Sequence, residues 1–180
     1  NTLLIFTCDN GSAINITSEM KGRQIQGGKA SLPDNGTHVA MVAHWPSKFQ
    51  QRGIQSQLVD FTDLLPTLCD VAGLGRDQVK SDGYSLVPVF TSAKHESGRK
   101  WVYCHYIRNG FPKRPNDQIK ESTAIKKQDS MIQAKTAGTF VRNHRYKLYG
   151  DGRFYDTQND VRETQPLSQF DKKTAAVKAQ

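Results

Sequence analysis

Two adjacent oxygen-bearing residues, Asp9 and Asn10, follow directly on an apolar run in the stretch IFTCDNGS, residues 5–12. A carboxylate and an amide oxygen are hard donors, which suit Ca²⁺ or Mg²⁺ better than Zn²⁺. The same pair followed by Gly11 also makes a tight turn closing a strand, and two oxygens fall short of the six to eight that Ca²⁺ takes. Taken alone, the pair leaves both readings open. About twenty residues downstream stands Gly27-Gly28-Lys29. The glycines let the backbone come close to a ligand, and Lys29 offers a mobile point charge for the oxygens of an anion. The stretch lacks the spacing and the Ser/Thr of a phosphate-binding P-loop, so a solvated loop lysine is the other reading. His38 is placed to face a substrate or to serve as a hydrogen-bonded structural residue. His44 and His105 read as structural.

These residues need elements to hold them. TLLIFTC is a short, nearly continuous apolar run with β-branched residues, as expected of a strand buried on both faces. Residues 10–36 read as a long loop, and loops of that length are uncommon in compact domains unless functional. THVAMVAHWP gives a second strand over about 39–44, stopped by Trp45-Pro46 because proline has no amide hydrogen to donate. In LVDFTDLLPTLCDVAGL the apolar spacing predicts a helix starting near Leu65, with Pro66 in its first turn and Gly73 as the residue past its end. Strand, loop, strand, helix argues for an α/β layer with a parallel sheet. In such sheets ligands bind beyond the carboxyl ends of the strands, where Asp9 and Asn10 stand. Two strands do not make that sheet alone, so its remainder is expected from sequence absent here.

The character changes near residue 92. RKWVYCHYI alternates and is aromatic-rich, and GTFVRNHRYKLYG with GRFYDTQ predicts a hairpin turning at Gly150-Asp151-Gly152. The tail reads as a loop and a final amphipathic helix. The expected organisation is therefore residues 1–92 as part of an α/β core and residues 93–180 as a small antiparallel sheet with a helix.

Composition narrows the classes. The chain of 180 residues is 36% hydrophobic and 23% charged, which describes a globular chain rather than a disordered one. No apolar run reaches membrane-spanning length, so no membrane partner is expected. The net charge of +8 is lopsided: residues 1–90 hold 7 Lys/Arg against 8 Asp/Glu, and residues 91–180 hold 18 against 9. A basic half attracts anionic substrates. Its lysines are scattered with no interleaved aromatics, which argues against nucleic acid. Cys8, Cys69 and Cys104 lack metal-ligand spacing, and Cys8 and Cys69 read as small core residues. Asn15 and Asn35 sit in N-glycosylation acceptor patterns. The chain starts without Met inside an apolar strand and shows no signal peptide, as a piece of something longer does.

The order of the pieces is more specific than any one of them. A strand ending in DNG, a loop reaching GGK, then D-x-GTHV and an apolar strand ending in WP resembles the sulfatase family. LVDFTDLLPTLCDVAGL resembles that family's D-(L/I)-x-P-T-(L/I)-x-x-x-A-G helix, and SDGYSLVPVF its D-G-x-S-L-x-P turn. FVRNHRYKLYGDGRFYDTQNDVRETQPL is similar to its terminal block, so the resemblance runs from about residue 2 to 167. It implies the C-terminal part of an alkaline-phosphatase-like α/β core, followed by a small antiparallel-sheet-plus-helix subdomain. It implies a sulfuric ester hydrolase acting on a sulfated small molecule or polysaccharide. Asp9 and Asn10 would then be calcium ligands, and Lys29 a catalytic residue on an oxygen of the sulfate. His38 would be a candidate substrate-binding residue. Family resemblance also implies a periplasmic, secreted or lysosomal setting.

The departures are as informative. Sulfatases act through a formylglycine made from the Cys or Ser of a C/S-x-P/A-x-R motif, and no such motif occurs in these 180 residues. The further aspartates of the calcium shell, and the histidines and second lysine around the nucleophile, are missing too. The strand that usually ends in WPG ends here in WPS. The resemblance is thus to one wall of a sulfatase site, with the missing N-terminal half as its partner and no turnover expected from this chain alone. Two alternatives stand beside it. A phospho- or phosphonate-hydrolase of the same superfamily would need His and Asp clusters, and residues 1–90 hold only His38 and His44. A non-catalytic module could instead grip sulfated polysaccharide through the basic half.

Overall fold

The computed structural model describes residues 1–20, 22–49, 53–75, 80–92, 97–106 and 138–169. In chain order the elements are β1 (Leu4–Thr7), β2 (Thr17–Met20), β3 (Arg23–Gln26), α1 (Asp34–Thr37), β4 (Met41–His44), a 3₁₀ turn (Phe61–Asp63), α2 (Leu64–Val71), α3 (Val87–Thr91), β5 (Val102–Tyr106), β6 (Gly138–Arg142), β7 (Tyr146–Tyr149) and β8 (Phe154–Asp156). Contacts group them into two units that interleave in sequence: Asn1–Phe6 with Met41–Val102, and Thr7–Ala40 with Tyr103–Gln180.

In the first unit β1 and β4 pair as a two-stranded sheet. The apolar run of β1 predicts burial on both faces, and the structure corrects this. Leu4 and Phe6 are 61% and 65% exposed, and Val42 on β4 is 58% exposed. A strand pair with nothing laid over one face leaves its outward side chains open. Asp60 caps the 3₁₀ turn, accepting from the amide of Thr62 at 2.9 Å, while Asp63 accepts from the amide of Asp60 at 2.8 Å. This reciprocal capping box satisfies amides that the helix start leaves unpaired. It explains why α2 begins at Leu64, ahead of Pro66, much where the sequence predicts. Gly73, at φ 73°, ends the helix as expected, with the amide of Leu74 returning to the carbonyl of Cys69 at 2.9 Å. Asp63 is fully buried. It accepts from Arg99 Nε at 3.0 Å, from a second Arg99 nitrogen and from the amide of Tyr84 at 2.8 Å. Thr67 on α2 accepts from the amide of Leu86 at 2.9 Å, joining α2 to the start of α3.

The second unit corrects the reading of residues 10–36 as one loop. β2 and β3 form an antiparallel ribbon, from Thr17 opposite Gln26 to Met20 opposite Arg23. All of it is exposed except Ile25, which is half-buried, so the sequence carries no buried alternation to announce it. The larger sheet runs β5-β6-β7-β8. The stretch predicted as one strand, GTFVRNHRYKLYG, is two, because Asn143 Oδ1 accepts from the amides of Arg145 and Tyr146 at 2.9 and 2.8 Å and turns the chain. β7 and β8 then form the expected hairpin, Leu148 opposite Phe154. Leu32, Phe140, Tyr149 and Tyr155 make the core, with Cys104 and Tyr106 against it. Cys8, expected in a core, is exposed in the turn past β1, whereas Cys69 is buried as expected. The predicted terminal helix does not begin by residue 169. Its remainder, and the long stretch NGFPKRPNDQIKESTAIKKQD at 109–129 that the sequence places between two strands, lie outside the described residues.

Candidate functional site

Asp9 and Asn10 lie just beyond β1, in a turn that the backbone stitches to the GGK loop. The amide of Lys29 donates to the carbonyl of Ser12 at 2.9 Å, and the amide of Gly11 to the carbonyl of Gly36 at 2.9 Å. The amide of Gly27 reaches the carbonyl of Ile16 at 2.7 Å. Asn35 Nδ2 donates to the carbonyl of Gln26 at 3.0 Å, and Thr7 Oγ1 to that of Ala40 at 2.9 Å. Three chain segments so close leave no room for side chains at the crossing. A Cβ on Gly36 would lie 2.3 Å from the carbonyl oxygens of both Gly28 and Ser31, and one on Gly11 would lie 1.9 Å from that of Asn35. Glycine is the residue such approaches admit. Ala30 takes φ 65° directly after Lys29, a left-handed conformation that an L side chain rarely adopts. The bond from the amide of Ser31 to the carbonyl of Gly28 at 3.0 Å closes that bend.

The side chains of Asp9 and Lys29 are exposed and that of Asn10 is half-buried. Among the described residues none of the three has a hydrogen-bond or ion-pair partner. The side-chain oxygens of Asp9 and Asn10 are of the hard type a calcium ion takes. Among the described residues no three His, Cys, Asp or Glu gather into a metal-holding group. As a calcium site, then, the turn fits as two ligands of a larger shell.

His38 follows α1, its amide donating to the carbonyl of Asp34 at 2.8 Å. Its ring is 69% exposed, with Nδ1 4.0 Å from Asp34 Oδ2. The surrounding protein lowers its pKa by desolvation; Asp34 opposes this, and the cations of Arg142 and Lys147 add to it. The lowered pKa favours the neutral ring, which can both donate and accept.

Sequence reasoning missed what holds α1 in place. Asp34 accepts from an Arg142 guanidinium nitrogen at 2.5 Å and from Lys147 Nζ at 3.2 Å. Lys147, fully buried, also donates to the carbonyl of Leu32 at 2.7 Å and to Glu163 Oε1 at 2.8 Å. Glu163 accepts from the amide of Asp34 at 3.1 Å and from the Tyr149 hydroxyl. Burial and then the bond to Glu163 push the Tyr149 pKa far up, so the phenol stays a donor. Two cations thus meet two carboxylates in the interior. The signal for it was a lysine between Tyr146 and Leu148 on a strand of alternating pattern, where a polar inward residue needs partners.

In sequence the chain is similar to known sulfatases. Residues 1–74, which span the turn, the loop, β4 and α2, match the sulfatase family model. The uncharacterized sulfatase YdeN of Escherichia coli K12 is 33% identical over 113 residues, 59% of this chain and 20% of that protein. The ulvan-active sulfatase of Formosa agariphila is 33% identical over 103 residues, 57% of this chain and 18% of its own. Human arylsulfatase A is 35% identical over 92 residues, 49% and 17% of the two chains. The chain spans about a fifth of the length of the curated relatives it matches. The DNG turn, the GGK loop and the helix of LLPTLCDVAGL all fall within residues 1–74, the part of the chain that matches the sulfatase family.

Proposed function

We propose that the protein containing this chain is a sulfuric ester hydrolase of alkaline-phosphatase-like α/β fold, acting on a sulfated sugar or an aryl sulfate. The chain supplies one wall of the site. Asp9 and Asn10 would hold a calcium ion, which when bound draws electron density from the sulfate oxygens. Lys29 places its ammonium on another sulfate oxygen and offsets the charge that builds as the sulfur–oxygen bond breaks. His38 faces the substrate as a neutral donor and acceptor. The observation that carries this reading is the backbone stitching of Ser12 to Lys29 and Gly11 to Gly36, which brings the DNG turn and the GGK loop to one place.

The nucleophile and the remaining calcium oxygens come from polypeptide outside these 180 residues. Two findings support that division. No C/S-x-P/A-x-R motif occurs in the chain, and the apolar face of Leu4, Phe6 and Val42 is open, as is that of Leu65 and Leu68 on α2. An exposed patch of this kind marks a surface that something else covers. By itself the chain is inactive toward sulfate esters. The setting is periplasmic, secreted or lysosomal, as for the family it resembles, and among the described residues no helix is long and apolar enough to cross a membrane.

The test is hydrolysis of an aryl sulfate, and of sulfated polysaccharide, by the protein expressed from the whole coding region. Sulfate release by that protein, and none by the isolated chain, is the expected result. A whole coding region that lacks the C/S-x-P/A-x-R motif, with no sulfate released from either substrate, overturns it.

A further inference from the structure

A lysine with no exposure is expensive to desolvate unless each of its three protons finds an acceptor. Lys147 meets that demand through the carbonyl of Leu32, Asp34 Oδ1 and Glu163 Oε1, at 2.7, 3.2 and 2.8 Å. Its ammonium also lies 4.0 Å from the centre of the Phe140 ring. Two of the three acceptors belong to residues 32–34, directly after the loop that carries Lys29. The third, Glu163, takes the amide of Asp34 as well, at 3.1 Å. Residue 34 is therefore gripped at its amide and at its carboxylate, and residue 32 at its carbonyl. Glu163 reaches this position at φ 53°, in the left-handed region that L side chains rarely adopt. For stability alone a buried ion pair is no better than apolar residues of similar volume. What the pair adds is geometry.

We propose that Lys147 and Glu163 are positioning residues for the anion site: from β7 and the segment after β8 they fix residues 32–34, and through them the loop that carries Lys29 and the helix end that carries His38. This rests on the function proposed above, since it is the sulfate-facing loop that they hold.

The test compares the whole protein with the double variant Lys147→Met/Glu163→Leu. It removes cation and anion together, leaving Asp34 paired with Arg142. Deuterium uptake is followed by mass spectrometry in peptides covering residues 27–38 and 64–71, and the His38 ring is titrated by NMR. Uptake across 27–38 is expected to quicken by about tenfold or more with 64–71 unchanged. His38 is expected to titrate at higher pH, because the Lys147 cation that lowers it is gone. Glu163→Gln keeps the Lys147 cation, so it is expected to quicken uptake across 27–38 to a smaller extent without moving the His38 titration upward. Wild-type uptake across 27–38 in the folded variants overturns the proposal. So does an equal rise in both peptides, including that from global unfolding, since the cluster would then be a general scaffold. Neither readout needs sulfate or turnover, so failure here is separate from failure of the sulfatase reading, which the aryl sulfate assay decides.

Discussion

The amide of Lys29 donates to the carbonyl of Ser12 at 2.9 Å, and this backbone bond, with that of Gly11 to Gly36, joins the loop bearing the candidate cation to the turn bearing the candidate metal oxygens. The two stretches stand well apart in the chain and reach each other because glycines line the crossing. The close approach, more than any side-chain contact, defines the site.

Gly36→Ala tests that crossing. Its Cβ would sit 2.3 Å from two backbone carbonyl oxygens, which have no rotamer by which to move aside. The loss of stability is about 3 kcal/mol, the upper end of what overpacking costs. Gly75→Ala is the control: nothing lies within 4 Å of its Cβ position, and a change within about 0.5 kcal/mol is expected. Denaturant titration of both variants distinguishes the sites. Equal midpoints would show that the loops do not need their close contact.

The buried carboxylate of the first unit gives a second prediction. Asp63 is fully buried against Arg99, and it also caps the amides of Asp60 and Tyr84. Asp63→Ala strands a guanidinium whose side chain is only 7% exposed, at a loss of about 3–5 kcal/mol. Asp63→Ala/Arg99→Met removes the orphaned charge and loses less. Thermal denaturation of the single and double variants reads the difference, and a single variant that melts like the wild type contradicts the role.

How much of this was legible beforehand follows from burial. The start of α2, its glycine stop and the turn at Gly150–Gly152 are local chemistry, and local chemistry is written in adjacent residues. The order of DNG, GGK and the helix was legible for the same reason. The β2–β3 ribbon was not, because its side chains face solvent and leave no period to read. Nor was the exposure of β1, since an apolar run does not say what lies over it. Lys147, Asp34 and Glu163 stayed hidden for another reason. Their meaning arises only when residues 113 and 129 positions apart in the chain are brought together, and no spacing rule encodes that.

On the acid side of the stability profile Asp151, Asp156 and Asp160 all titrate below their ordinary value, and His38 does so higher on the scale. Arg145 holds the Asp156 carboxyl below its ordinary value, with Asn159 assisting and desolvation opposing. A depressed carboxyl contributes stability that is present above the unfolded value of about 3.8 and is lost as pH falls through it toward the folded value. His38 acts higher on the scale. Its folded pKa is lowered, so below about pH 6.5 the unfolded chain takes up a proton that the folded chain resists, and stability declines as pH drops. His38→Gln removes the decline near neutrality and leaves the one below pH 4, whereas Asp156→Asn makes the lower one shallower, with Asp151 and Asp160 still contributing to it. Denaturation midpoints taken from pH 3 to 8 check both assignments. Coincident curves for His38→Gln and wild type between pH 5 and 7 would refute the first.

Lys29→Ala separates folding from chemistry. Its side chain is exposed and, among the described residues, without a partner, so the melting point is expected to stay within about 0.5 kcal/mol equivalent of wild type. In the whole protein, turnover of an aryl sulfate falls by about 10²–10³, the loss seen when one preorganised charge-stabilising donor is removed. The fall lies in kcat more than in KM, because the charge Lys29 offsets is greater in the transition state than in the bound ester. Asp9→Asn behaves differently. It keeps an oxygen but removes the negative charge, so activity returns in part at high calcium, and chelation of calcium silences wild type and variant alike. Lys29→Ala is not rescued by any calcium concentration. A Lys29→Ala protein with wild-type kcat would remove the lysine from the chemistry and leave the GGK loop as scaffold only.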